Sequence, residues 1–129
     1  MRAPIPDVVE RDASIVVDAG LKVHRALGPG LLESVYEHCL AYELAKRGLP
    51  PRRQVIQPII YDGCELEAAL RIDLVVNDAI IVEVKSVEAT LPINRSQLLT
   101  YLKLSGCRLG FLMNFNVPLF KDGVQRLIA

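Results

Sequence analysis

The chain has 129 residues, 51% of them hydrophobic, and its 15 basic side chains balance its 15 acidic ones. This length and apolar content predict one compact domain over residues 1–129 and disfavour two domains. The apolar runs are short and broken by charges, and the N-terminus lacks the pattern of a secretory signal. We therefore expect a cytoplasmic protein with no membrane partner.

The three cysteines, Cys39, Cys64 and Cys107, are odd in number, widely spaced and without a Cys-x-x-Cys pair. This spacing argues against a disulfide framework or a zinc knuckle. We interpret the three as small buried or half-buried hydrophobic residues.

Two helices are predicted in the first part of the chain. Apolar residues recur at helical spacing from Asp12 to Leu27, with Asp12 as the N-cap, and Gly28-Pro29-Gly30 ends that helix. A second helix should run from about Leu32 to Arg47, with Gly48 just past its end. Pro50-Pro51 then imposes an extended exit.

Strand signals follow. Gln54 to Tyr61 and Glu65 to Val76 flank Asp62-Gly63, which predicts a tight hairpin, and a third strand covers Ile80 to Lys85.

Pro92 opens a further helix through Leu104, and Leu109 to Phe115 is a fourth predicted strand. Residues from Pro118 to Ile128 contain a Lys121-Asp122-Gly123 turn and suggest a terminal hairpin. The order is two helices, three antiparallel strands, a helix and a strand, which predicts an α/β fold of layered helices and sheet.

Charged residues occur within two of the apolar strands. In the third strand Glu83 and Lys85 project to one side, whereas Val82 and Val84 project to the other. In the second strand Asp73 lies amid residues that are expected to be buried. An unpaired carboxylate there is costly, and the cost falls if a cation is bound.

Asp73 and Glu83 can share a metal only if the pairing register puts them on one face of the sheet. A two-residue loop at Asn77-Asp78 would pair Asp73 with Val82 and turn Glu83 away. A three-residue loop, Asn77-Asp78-Ala79, or an equivalent bulge, pairs Asp73 with Glu83 directly. We predict the three-residue loop.

Such a carboxylate pair suits Mg²⁺ or Mn²⁺, which prefer oxygen ligands. Phosphodiester hydrolysis needs an activated water and neutralisation of negative charge on the phosphate oxygens, which a metal and Lys85 can supply. The alternative interpretation is a Glu–Lys pair on an exposed strand face.

The motifs form one ordered set: Gly30-x-x-Glu33-x-x-Tyr36, Asp73, Glu83-Val84-Lys85 and Gln97-x-x-x-Tyr101. Together they resemble the PD-(D/E)XK nuclease superfamily, and specifically its small GxxExxY proteins. The resemblance runs from about residue 28 to residue 115. It implies a restriction-endonuclease-like core, with helices packed on a mixed four- to five-stranded sheet in the order α-α-β-β-β-α-β.

The resemblance also implies roles for the individual residues. Asp73 and Glu83 would bind the divalent metal, with the Val84 backbone carbonyl as a further ligand. Lys85 matches the catalytic lysine, and Glu33 matches an acidic helix residue that contacts the metal or its waters. Ile72, rather than proline, precedes Asp73, a departure that removes no ligand. With three scattered cysteines, no iron–sulfur cluster is expected.

Gln97 and Tyr101 are four residues apart and share a helix face, as do Glu33, Tyr36 and Glu37. By resemblance Gln97 and Tyr101 contact the substrate or position the lysine. For Tyr36 both substrate contact and core packing remain open, and Glu37 is interpreted as a solvated helix residue.

The leading hypothesis is therefore a Mg²⁺-dependent nuclease that hydrolyses nucleic acid, with DNA favoured over RNA by resemblance. The alternative is a non-catalytic binding or assembly module with a nuclease fold. A domain of this size is expected to grip duplex DNA as a homodimer or with a protein partner. The neutral chain would have to concentrate its basic groups on one face, for which the candidates are Arg52, Arg53, Arg71, Lys85, Arg95, Lys103 and Arg108.

Overall fold

The structure, a computed structural model, describes residues 3–129, with residues 67–69 described by their backbone alone. The described residues form three α-helices, one short 3-10 helix and five strands. In chain order these are α1 (Asp7–Leu27), α2 (Glu33–Lys46), β1 (Arg52–Tyr61), β2 (Cys64–Val76), β3 (Ile80–Lys85), α3 (Pro92–Ser105), β4 (Leu109–Asn114), the 3-10 helix (Phe120–Gly123) and β5 (Val124–Ile128).

The strands form one mixed sheet in the order β1-β2-β3-β4-β5. β1, β2 and β3 are antiparallel neighbours, as predicted. β3 and β4 are parallel and are connected through α3, and β5 pairs antiparallel with β4. A parallel connection needs a crossover segment, which α3 supplies. The predicted α/β architecture is confirmed, and β5 is the fifth strand.

Each face of the sheet has its own apolar core. On one face, α1 and α2 pack through residues such as Val16 and Leu40 against Val82 and Val84 of β3. On the other face, α3 packs through Leu98, Tyr101 and Leu102, with Ile72, Ile81 and Leu112 beneath it. The alternation within β3 thus directs Val82 and Val84 away from α3. In the part of the chain that is described, no helix is long and apolar enough to cross a membrane.

The first helix begins at Asp7, so the prediction that it begins at Asp12 was wrong. Pro6 precedes it, and the Pro6 carbonyl accepts hydrogen bonds from the backbone amides of Val9 and Glu10. Asp12 is therefore a residue of the helix rather than its cap. Its carboxylate accepts a hydrogen bond of 2.9 Å from the side chain of Asn77, in the β2–β3 loop.

The terminal segment differs in detail from the predicted hairpin. A 3-10 helix covers Phe120–Gly123 where a Lys121-Asp122-Gly123 turn was predicted, and β5 then pairs with β4. Phe120 is buried against the Phe115 ring, with 5.2 Å between the ring centroids. Burial of Phe120 explains why this segment winds onto the core rather than forming an exposed turn.

We expect Gly123→Ala to destabilise the protein strongly. A Cβ at Gly123 would lie 2.0 Å from the backbone oxygen of Asn114. The backbone would have to shift to relieve this clash, because the oxygen is not at the end of a flexible side chain. The control is Gly63→Ala, where φ is +75° but no atom lies within 4 Å of the added Cβ. Gly63→Ala should cost about 1 kcal/mol through its left-handed backbone, and Gly123→Ala clearly more. Equal losses of stability in urea denaturation would contradict the expectation.

Candidate active site

Asp73 and Glu83 lie opposite each other on neighbouring strands. The β2–β3 ladder pairs Val76 with Ile80, Val75 with Ile81 and Leu74 with Val82. This register leaves Asn77-Asp78-Ala79 as a three-residue loop and makes Asp73 and Glu83 the next opposed positions. The predicted loop and register are confirmed. Asn77 and Asp78 both have positive φ, 51° and 53°, which these two residue types tolerate better than most.

The two carboxyl groups are joined to each other's strand by hydrogen bonds. The Asp73 carboxylate accepts one of 2.9 Å from the backbone amide of Val84. The Glu83 carboxyl accepts one of 3.4 Å from the backbone amide of Asp73. Both side chains therefore cross the gap between β2 and β3 at the same level.

Glu83 is buried, with 7% of its surface exposed. Burial, followed by the side-chain hydrogen bond to Asp73 and the negative charge of Asp73, raises the pKa of Glu83 to about 10. Lys85 opposes this shift through its positive charge. In the absence of a cation, Glu83 therefore keeps a proton at neutral pH.

Lys85 is half-buried and follows Glu83 by two residues on the same side of β3. Within the described part of the chain, its ammonium group forms no hydrogen bond and no ion pair. It interacts with Glu83 through electrostatic attraction. The Lys85 carbonyl accepts a hydrogen bond from Phe115, which fixes the end of the strand. The lysine is thus beside the acidic pair and available to another anion.

Tyr101 reaches the acidic pair from α3. It is 4% exposed, and burial followed by the charges of Glu83 and Asp73 raises the pKa of its hydroxyl. Gln97 shares that helix face one turn earlier but is exposed. The structure therefore brings Tyr101 to the pair and leaves Gln97 at the rim, where no contact with the other predicted residues is seen among the described side chains.

Glu33 lies beside the end of β3 that carries Lys85. Its carboxylate accepts a hydrogen bond of 3.3 Å from the backbone amide of Ser86, which follows Lys85. Among the side chains that the structure describes, no three His, Cys, Asp or Glu residues are grouped so that they could hold a metal. The Glu33 carboxylate is thus turned to the loop after Lys85, and its role as a metal ligand stays a prediction.

Tyr36 is fully buried, which favours core packing over substrate contact, the two interpretations that its sequence left open. Its ring stacks on Phe115, with 4.7 Å between centroids. Its hydroxyl donates to the Gly28 carbonyl at 2.5 Å and accepts from the Leu31 amide at 3.1 Å. Tyr36 therefore packs in the core and fixes the α1–α2 loop from which Glu33 starts its helix.

Three residues near the site were not assigned a role from the sequence. Glu37, interpreted as solvated, is only 7% exposed, because Arg53 and Gln54 of β1 bond to its carboxylate at 2.9 and 2.6 Å. Gln54 also approaches Asp73. Asn114 is buried, and its amide bonds to both the amide and the carbonyl of Val87. Such contacts cross between distant elements, so no local pattern signals them.

Several candidate basic residues are occupied elsewhere. Arg52 pairs with Asp78 and Arg53 with Glu37. Arg108 bonds to the backbone oxygen of Ala129, and Arg95 to the side chain of Gln125. Because these arginines contact other groups, fewer basic side chains are left to form the expected single basic face. Of the candidates, Lys85 lies beside the acidic pair.

The arrangement fits a divalent cation. Two carboxyl groups face one another across two strands, and one of them is forced to hold a proton by burial and by its neighbour's charge. A cation between Asp73 and Glu83 would remove that repulsion, and oxygen ligands are those that Mg²⁺ and Mn²⁺ prefer. The Val84 carbonyl stays a predicted ligand.

A family model described as the PD-(D/E)XK nuclease superfamily matches residues 10–127, nearly the whole chain. Comparisons with curated proteins and with solved structures found no match.

We expect Glu83→Gln to flatten the pH dependence of stability in EDTA. The pKa of Glu83 is about 10 in the folded chain and 4.5 in its unperturbed state, so the folded state binds more protons between these values. The stabilisation that Glu83 contributes is complete below pH 4.5 and is lost as pH rises toward 10, by up to about 1.4 kcal/mol per pH unit. Glutamine cannot ionise, so the stability of Glu83→Gln does not fall with pH through this group.

Thermal melts of the wild type and Glu83→Gln from pH 5 to pH 9 check this expectation. The difference in Tm should grow with pH in favour of Glu83→Gln. Glu88→Gln is the control, because Glu88 is exposed and lies just beyond the strand end. Parallel curves for the wild type and Glu83→Gln would show that the carboxyl group is solvated and not forced to keep its proton.

Proposed function

Because the chain belongs to the PD-(D/E)XK nuclease superfamily, we propose that it hydrolyses phosphodiester bonds of DNA with Mg²⁺ or Mn²⁺ held by Asp73 and Glu83. The observation that carries the proposal is the direct opposition of these two carboxyl groups at adjacent strand positions. A cytoplasmic location, expected from the sequence, agrees with a nucleic-acid substrate.

A bound divalent cation would supply charge neutralisation on the phosphate and activation of the attacking water. Asp73 and Glu83 would hold the cation, and the Val84 amide keeps the Asp73 carboxylate turned toward β3. Lys85 extends from the same side of β3 and stabilises the negative charge that builds up on the phosphate oxygens. Its ammonium group is suited to this because no carboxylate of the described chain forms an ion pair with it.

The other residues position this centre. Glu33 and Asn114 fix the backbone just after Lys85 from two sides, through the amide of Ser86 and both backbone groups of Val87. Tyr101 covers the acidic pair, and Gln97, exposed one turn away, is available to the DNA backbone. A homodimer or a protein partner would widen the small binding surface of one chain.

We expect Asp73→Asn, Glu83→Gln and Lys85→Met each to reduce DNA cleavage with Mg²⁺ or Mn²⁺ by at least about 10³-fold. Each removes a charge that acts on the reacting phosphate while the core on both faces of the sheet remains packed. Lys121→Met and Asp62→Asn are matched controls, since Lys121 is exposed in the 3-10 helix and Asp62 is exposed in the β1–β2 turn. The assay should use single-stranded, duplex and branched DNA, with RNA in parallel.

A wild-type protein that cleaves none of these substrates, or an Asp73→Asn protein that cleaves as the wild type does, would overturn the assignment of nuclease activity to this centre. Circular dichroism melts confirm that each variant is folded.

Metal titration separates catalysis from a non-catalytic nuclease-fold module. We expect the wild type to bind Mn²⁺ and to release protons as it does so, because Glu83 must lose its proton to become a ligand. Proton release, obtained from calorimetry in buffers of different ionisation enthalpy, should disappear in Glu83→Gln. A wild type that binds no Mn²⁺ between pH 7 and pH 9 would favour the module.

A further inference from the structure

Gln54 has an unusual backbone for a residue inside a strand. Its φ is +51°, and it is the one non-glycine with positive φ within a strand of the described chain, since Asp62, Asn77 and Asp78 lie in turns. The β1–β2 ladder pairs Arg53 with Leu74 and Val55 with Ile72. Gln54 therefore lies opposite Asp73, at a position that the ladder skips.

The side-chain amide of Gln54 lies between two carboxylates. It donates to Glu37 Oε1 at 2.6 Å and approaches Asp73 Oδ1 at 3.5 Å. An amide nitrogen has two hydrogens, so it can serve both acceptors at once. Because both neighbours are acceptors, the amide must present its nitrogen and not its oxygen.

Each of the two partners of this amide has a second contact. Glu37 is buried on α2 and is also held by the Arg53 guanidinium, so it is a fixed point. The Asp73 carboxylate is bonded at its other oxygen, Oδ2, to the Val84 amide. The Asp73 carboxylate is thus contacted from two sides, by Gln54 through Oδ1 and by Val84 through Oδ2.

We propose that Gln54 is a positioning residue of the nuclease centre, whose amide, fixed by Glu37, orients the Asp73 carboxylate toward Glu83. This inference rests on the proposed function. It explains why a glutamine occupies a conformation that favours glycine, because the strained backbone turns the side chain from the ladder to the two carboxylates.

Two substitutions at Gln54 separate the role of the side chain from that of the backbone. Gln54→Ala and Gln54→Gly both lack the amide, but only glycine relieves the positive φ. Gln54→Gly should therefore melt above Gln54→Ala by roughly 2–5 °C. Asp62→Ala and Asp62→Gly form a matched control pair, because Asp62 has φ of +53° in the exposed hairpin turn.

If Gln54 positions Asp73, both Gln54 variants lose function to the same extent despite their different stabilities. We expect Mn²⁺ affinity to fall about 10–100-fold in both. The kcat for DNA cleavage should fall by a similar factor with KM little changed, since the proposed role of Gln54 acts through the Asp73 carboxylate. The two Asp62 variants should retain wild-type affinity and kcat.

A third measurement needs neither metal nor activity. In EDTA, the backbone amide proton of Val84 reports on the Asp73 carboxylate that accepts it, and its NMR resonance should shift upfield in both Gln54 variants and in neither Asp62 variant. A Gln54→Gly protein with wild-type Mn²⁺ affinity, kcat and Val84 resonance would overturn the proposal, as would a loss confined to Gln54→Ala.

Failure of the proposed function gives a different result. If the wild type neither binds Mn²⁺ nor cleaves DNA, the nuclease assignment fails, whereas the Val84 resonance still decides whether Gln54 orients Asp73.

Discussion

The opposition of Asp73 and Glu83 is the interaction on which the rest of the site depends. Two carboxyl groups face each other across a largely buried pair of strands, and together they hold one negative charge more easily than two. Burial makes the charge of Glu83 expensive, and the charge of Asp73 makes it more so. Lys85 and the hydrogen bond donors around Asp73 act on that cost, as the proposed divalent cation would, which explains why charged and polar groups converge at this point of an apolar sheet.

The number of residues in the β2–β3 loop creates this opposition, because it decides to which face of the sheet each side chain points. With three residues in the β2–β3 loop, Asp73 and Glu83 share a face, and one residue fewer would send them to opposite faces. The contacts of the loop side chains, Asn77 with Asp12 and Asp78 with Arg52, link the loop to α1 and β1. Structural interactions on the surface therefore help to maintain the register on which the chemistry depends.

The motif residues divide between chemistry and support. Tyr36, although part of the Gly30-x-x-Glu33-x-x-Tyr36 pattern, is wholly buried, and its hydroxyl closes the α1–α2 loop. Glu33 bonds to the backbone after Lys85, so this motif acts on the position of the lysine. Asn114 does the same from β4. In this chain the pattern therefore fixes the backbone next to Lys85.

The sequence by itself determined the elements, the side of the strand that Glu83 and Lys85 share, and the loop length that pairs Asp73 with Glu83, because periodicity, turn residues and parity are local properties. It missed the start of α1 at Asp7, since Asp12 is a preferred N-cap residue, whereas Pro6 has no side-chain acceptor for a helix amide. Only the tertiary structure decided that Glu37 is buried, that Glu33 faces Ser86 and that Gln54 reaches Asp73. Those contacts join residues from different elements, and they depend on how α2 packs across the sheet, which no spacing along the chain encodes.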